Sequence, residues 1–70
     1  MKTLFKVTCP KTGDLVMIAP MNTIAFVFDL RDGATDRILR ETSTGGVCDI
    51  HFNYGRTKLG YSAVNVEVVS

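Results

Sequence analysis

Tryptophan is absent from the sequence, histidine occurs once, and no apolar run is long. The longest run, Leu15 to Ala19, is far shorter than the roughly 20 apolar residues that a membrane-spanning helix requires. Lys6 and Thr8 interrupt the apolar residues near the N-terminus, and no small-residue cleavage site follows them, so we expect no signal peptide. We therefore expect a cytoplasmic protein without a membrane partner, and its 70 residues allow one domain, residues 1–70.

Metal ligands are scarce as well, because the single histidine and the two cysteines include no CxxC pair. A structural zinc site normally has four ligands at recognisable spacing. Cys48 and His51 are three residues apart, which on a strand places the two side chains on opposite faces. The same geometry argues against a cysteine nucleophile activated by a neighbouring histidine. We expect no metal, no cofactor and no enzymatic activity, and we interpret Cys9 and Cys48 as reduced, buried thiols.

An excess of one charge is lacking too, since eight Lys and Arg residues oppose seven Asp and Glu residues. Proteins that bind nucleic acid strongly usually carry a clear basic excess, so nucleic acid is not the partner that we expect. One alternative stays open, because Tyr54 and Tyr61 could stack on single-stranded bases while Arg56 and Lys58 contact the phosphates.

Apolar and polar residues alternate through much of the chain, and this period of two is typical of strands with one buried face. Strands are predicted within Phe5 to Cys9, Leu15 to Ala19, Ile24 to Phe28, Ile38 to Thr42, Cys48 to Tyr54 and Val64 to Val68. Turns are predicted at Pro10 to Asp14 and at Asp32-Gly33, where proline and glycine favour chain reversal. The sequence thus predicts a mostly β fold: a small antiparallel sheet or partly open barrel of five to six short strands, with at most one short helical turn.

The strongest hairpin pattern lies in the C-terminal half of the chain. A two-residue turn at Tyr54-Gly55 would pair Ile50 with Leu59 and His51 with Lys58. This register collects the polar side chains on one face and the apolar side chains on the other. Agreement of faces across neighbouring strands is what fixes a register, so we predict this pairing.

The segment from Leu15 to Phe28 is apolar on both faces if it is extended, apart from an interruption at Pro20 to Thr23. A strand in an open sheet normally shows one polar face to water, so something must cover the second apolar face. We expect self-association, with closure into a small barrel as the main alternative. The predicted interface consists of Val16, Ile18, Met21, Ala25 and Val27.

Two polar clusters are candidate binding sites. The first lies on the polar face of the last hairpin and consists of His51, Asn53, Arg56 and Lys58. Such side chains could bind a small nucleotide-like anion through charge-assisted hydrogen bonds. The second is the arginine group Arg31, Arg37 and Arg40, which could bind phosphate or an acidic protein. Ordinary solvated surface charge is the competing interpretation of both clusters.

Two stretches of the sequence form strand-and-turn patterns. They are Asn22 to Val27 with Asp32-Gly33, and Ile50 to Arg56 with Ser62 and Val66. Together they fall within residues 15–66 and resemble small β-rich accessory domains of bacteria and phages, some of which have a LytTR-like layout. The resemblance implies a β-rich fold and a role as an oligomeric binding module, an inhibitor of a host protein or a DNA-binding domain. A DNA-binding domain of this kind would be more basic than this chain.

The function that these patterns predict is that of a non-enzymatic protein-binding module or inhibitor, of bacterial or phage type, that self-associates through its apolar strands. Two alternatives remain open at this point. One is an oligomeric sponge that binds a small nucleotide-like anion between subunits, and the other is a protein that binds single-stranded nucleic acid.

Overall fold

The computed structural model of the chain describes residues 3–52 and 60–69. In these residues an open, four-stranded antiparallel sheet is combined with two helices. The elements in chain order are β1 (Leu4–Thr8), β2 (Leu15–Pro20), α1 (Met21–Val27), α2 (Asp32–Thr42), β3 (Cys48–His51) and β4 (Ala63–Val69). The strand order is β2-β1-β4-β3, so β1 and β4 are central, and β2 and β3 form the two edges of the described sheet.

Strands outweigh helices in this architecture, which confirms the prediction of a small, mostly β fold with an antiparallel sheet. The finer prediction is wrong in two respects. The described residues form four strands rather than five or six, and they contain two helices rather than one helical turn. The sheet is open, so the alternative of a partly open barrel does not hold for the described residues.

One face of the sheet, which we call the inner face, carries the hydrophobic core. Phe5 and Val7 lie at its centre, because the strands on both sides of β1 place apolar residues opposite them. Cys48 and Ile50 extend the core to the β3 edge. The helical region packs on the same face. The buried residues that it adds are Ile24, Phe28, Ile38 and Thr42.

The predicted strand from Ile24 to Phe28 is wrong, because Met21–Val27 forms helix α1. Met21, Ile24 and Phe28 are separated by three and four residues, and all three contribute to the core. This spacing places their side chains on one side of a helix. A run that would be apolar on both faces of a strand can therefore also be a helix that buries one side. In α1 the core covers much of the apolar surface that a strand would have left exposed.

The predicted strand from Ile38 to Thr42 is also wrong, because Asp32–Thr42 forms helix α2. Only Ile38 and Leu39 are apolar between Ile38 and Thr42, which is fewer than an amphipathic helix normally shows. Thr42 supplies the missing buried position, since its hydroxyl donates to the carbonyl oxygen of Ile38 at 2.7 Å and its side chain is buried. The Asp32-Gly33 pair lies in the first turn of this helix and not in a hairpin.

The predicted turn after β1 is confirmed. The N–H of Cys9 donates to the carbonyl oxygen of Asp14 at 2.9 Å, and the N–H of Gly13 donates to the carbonyl oxygen of Cys9 at 2.7 Å. Gly13 has a φ of 77°, a left-handed conformation that glycine adopts without steric cost. The hairpin connects β1 to the antiparallel strand β2.

The strands that end the chain are confirmed in outline but not in register. β3 lies within the predicted stretch Cys48 to Tyr54, β4 extends the predicted stretch Val64 to Val68 by one residue at each end, and the two strands pair with each other. Ile50 lies opposite Val64 and His51 opposite Ala63, which differs from the predicted partners Leu59 and Lys58. The predicted turn at Tyr54-Gly55 lies outside the described residues.

Main-chain hydrogen bonds fix the link between the two helices. The N–H of Leu30 donates to the carbonyl oxygen of Ala25 at 2.9 Å, and the N–H of Asp29 donates to that of Phe26 at 3.3 Å. This pair of bonds is the Schellman motif, which requires a left-handed residue just after the helix. Asp29 occupies that position with a φ of 52°, and a residue with a Cβ is strained there.

Replacing Asp29 by glycine is expected to raise the free energy of unfolding by about 0.5–1 kcal/mol, because glycine adopts a positive φ without strain. Urea unfolding followed by circular dichroism measures the change. The matched control is Asp36→Gly inside α2, which is expected to lower stability because glycine is a poor helix former. A destabilised Asp29→Gly variant would contradict this account of the helix end.

Candidate self-association interface

The direction of the main-chain groups determines what the β2 edge offers to a partner. The N–H of Cys9 points towards Asp14, the residue just before β2. Alternate residues of an antiparallel strand hydrogen-bond to the same neighbour, so the odd-numbered residues of β1 face β2. Met17 and Ala19 lie opposite two of them and point back towards β1. Ile18 lies between these two residues and therefore directs its N–H and C=O away from β1, at the edge of the sheet.

A hydrogen bond at the opposite edge supports this assignment. The N–H of Phe52 donates to the carbonyl oxygen of Ser62 at 3.0 Å, so even-numbered residues of β4 face β3. The odd-numbered residues of β4 then face β1, and their partners in β1 are Leu4, Lys6 and Thr8. The odd-numbered residues of β1 therefore face β2, in agreement with the hydrogen bond from Cys9 to Asp14.

The edge strand β2 has little protection against pairing with another strand. Its sequence, LVMIAP, contains no charged side chain. Natural edge strands usually avoid aggregation through charged residues, prolines or bulges. β2 has Pro20 at one end, and at the other Val16 is an extra residue where the register with β1 shifts. The stretch centred on Ile18 therefore lies between these two features, without protection of its own.

The second face of the sheet, which we call the outer face, points away from the helices. Four exposed aliphatic side chains lie on it: Leu4 (40%), Leu15 (58%), Ile18 (48%) and Val69 (37%). Leu4 and Val69 are direct cross-strand neighbours. Next to them, Lys6 forms an ion pair of 3.2 Å with Glu67. The outer face is thus apolar on the β2 side and along the Leu4 end of the central strands.

The structure divides the five predicted interface residues between two elements. Ile18 is exposed at the β2 edge, and Val16 lies half-buried in the same strand. Met21 and Val27 belong to α1 and pack against the core, and Ala25 of the same helix is half-buried. The prediction assumed one extended segment, whereas the helix turns most of its apolar side chains inwards. Leu4 and Val69 were missed, because their position beside β2 depends on the pairing of β1 with β4.

The predicted anion cluster can be placed only in part. His51 is exposed on β3, on the outer face, opposite Ala63. Asn53, Arg56 and Lys58 lie outside the described residues, and so does Tyr54. Tyr61, the second candidate for base stacking, is half-buried and packs against the core.

The three arginines of the second cluster lie on or next to α2. Arg31 precedes the helix as its N-cap residue, and Arg40 lies in the last turn. Arg37 forms an ion pair with Glu41, with a distance of 2.7 Å from its Nε to Oε2. Glu41 thereby raises the pKa of Arg37, and Arg37 lowers the pKa of Glu41. An exposed pair four residues apart is typical of a solvated helix surface.

A groove of about 460 Å³ opens at the end of the core where β1, α1, α2 and β4 meet. Its floor and walls are mostly apolar, and they are formed by Phe5, Pro20, Met21, Leu39 and Val68. Thr3, Asn22, Thr42 and Ser43 also line it. None of the described residues that line the groove is charged, so they offer no positive charge to an anion.

Both cysteines are free thiols in different surroundings. Hydrogen bonds from the main-chain N–H of Lys11 and from Thr12 lower the pKa of the half-buried Cys9. Burial raises the pKa of Cys48, which lies within the core. The two thiols are therefore expected to differ in reactivity, because the thiolate is the reactive form.

Iodoacetamide is expected to alkylate Cys9 of the native protein well before Cys48, with a pH midpoint below that of an unperturbed thiol. Mass spectrometry of tryptic peptides measures both rates. Thr12→Val removes one donor, so it should move the Cys9 midpoint to higher pH, whereas Thr35→Val in α2 serves as a control. Equal rates for the two cysteines before unfolding would contradict these environments.

Neither helix of the described residues is long and apolar enough to cross a lipid bilayer. Residues 3–52 and 60–69 also contain no group of three or more His, Cys, Asp or Glu side chains that could hold a metal ion. No family model matches this sequence, and no curated protein or solved structure matches it significantly.

Proposed function

We propose that this chain is a non-enzymatic protein-binding module that self-associates, and that β2 is the strand through which it does so. The observation that carries the proposal is the sheet edge at Ile18. Its main-chain groups point outwards, its side chain is about half exposed, and the strand around it has no charge. An edge of this kind is a template for a further strand.

The outer face adds to the argument, because its exposed aliphatic side chains lie beside the same edge. Burying apolar area stabilises by about 25 cal/mol per Å². A chain of this length buries a modest share of its unfolded surface, so an additional subunit contributes substantially to its stability. Covering Ile18 and Leu15 is therefore favourable for the folded chain itself.

The resemblance to small accessory domains of bacteria and phages supports the same class of function, since it includes oligomeric binding modules and inhibitors of host proteins. Two free thiols are compatible with the reducing cytoplasm that we propose as the location. The anion-binding alternative has less support, because the one predicted residue in the described chain is His51 and the groove is lined by uncharged residues.

Ile18→Lys is expected to weaken self-association by about a hundredfold or more, because it places like charges at the edge and removes an apolar contact. Sedimentation velocity between about 10 µM and about 500 µM measures the change, a range that covers weak protein–protein contacts. The matched control is Val47→Lys. Val47 is also β-branched and equally exposed (49% against 48%), but it precedes β3 at the other edge of the sheet.

The wild-type chain should sediment as a larger species as its concentration rises, and so should Val47→Lys. Circular dichroism must show that both variants are folded. A wild-type chain that remains monomeric at the highest concentration would overturn the proposal, and so would an Ile18→Lys variant that associates as the wild type does.

A further inference from the structure

We infer that the partner at the β2 edge is a second copy of the same strand, which pairs antiparallel with the first about a twofold axis at Ile18. The four strands described for each copy then join into one continuous sheet of eight. This inference rests on the proposed self-association and adds to it the identity of the paired residues. The experiments must therefore distinguish pairing of the two β2 strands from dimer formation through another surface.

The hydrogen-bonding groups of Ile18 favour a symmetric partner. Residues that lie opposite each other in a hydrogen-bonded antiparallel pair exchange two N–H···O=C bonds. Ile18 directs both of its groups away from β1, so two copies of Ile18 related by a twofold axis satisfy each other. An isologous contact of this type closes after two subunits and does not form a fibre.

The neighbouring residues set the register. Two positions from Ile18 the edge meets Pro20 on one side and Val16 on the other, and a twofold axis at Ile18 places these two opposite each other. Pro20 has no N–H but keeps its carbonyl oxygen as an acceptor for the second copy. Shifting the axis by one residue would pair Ile18 with Pro20, which has no N–H, or with Val16, the extra residue at the register shift. Shifting it by two would place Pro20 or Val16 at the axis itself.

The side chains agree with the register that the main chain sets. Residues opposite each other in a hydrogen-bonded pair have Cα atoms about 5.5 Å apart, so the two Ile18 side chains come into contact on the outer face. No charged side chain of either β2 strand opposes this contact. Because a single strand edge is small compared with the interfaces of stable dimers, we expect a dimer that dissociates on dilution.

Amide hydrogen exchange followed by NMR tests the pairing residue by residue. Met17 and Ala19 face β1, so their amides should be protected at every concentration. The amide of Ile18 should exchange rapidly in dilute solution and become protected as dimer forms. An Ile18 amide that still exchanges rapidly when sedimentation shows a dimer would overturn the pairing but leave self-association intact. Protection that appears at Asp49 and His51 instead would assign the contact to the β3 edge.

Two substitutions at Ile18 separate strand pairing from contact between outer faces. Ile18→Pro removes the outward N–H and keeps an apolar ring, and the β1–β2 bonds do not use that N–H. Ile18→Thr keeps the N–H and the branched Cβ but replaces the ethyl group on Cβ by a hydroxyl. Strand pairing predicts that Ile18→Thr dimerises with an affinity reduced by about tenfold, whereas Ile18→Pro is monomeric. Face packing predicts the reverse order, which would overturn the inference.

Discussion

The pairing of β1 with β4 is the contact on which the rest of the structure depends. Five residue pairs, from Leu4 opposite Val69 to Thr8 opposite Asn65, join strands from the two ends of the described chain. Val7 and Val66 face each other in this pair, and neither side chain is accessible to solvent. β2 and β3 each attach to one of these two strands, and the helices cover their inner face.

Sequence patterns predicted the strands well where apolar and polar residues alternate, as they do in β1, β3 and β4. Of the two runs that are apolar at every position, Leu15 to Ala19 forms the predicted strand β2. The prediction failed for the second run, because Ile24 to Phe28 fits a strand and a helix equally well. The patterns also failed in α2, where Thr42 is buried as if it were apolar. A hydroxyl that donates to a carbonyl oxygen of the preceding helical turn has its hydrogen bond within the helix, so the residue can be buried. Composition alone cannot distinguish such a threonine from an exposed one.

Part of the candidate interface could be predicted from the same patterns. An uninterrupted apolar run beside a proline pointed to Ile18 as a residue that one sheet could not cover. Leu4 and Val69 could not be found in this way, since each belongs to a strand with a normal apolar face. Leu4 and Val69 lie next to each other because β1 pairs with β4, which is distant in the sequence. The alternation of apolar and polar residues within one strand does not predict which strand will lie beside it.

The central position of β4 has a consequence for how the protein is made. A ribosome releases a chain from its N-terminus onwards, so the hairpin of β1 and β2 and both helices emerge while the strand that should lie beside β1 is still in the exit tunnel. Two-stranded hairpins are marginally stable on their own. Stable folding therefore requires β4, and before β4 pairs with β1 the side chains of Phe5 and Val7 lack their neighbours on that side.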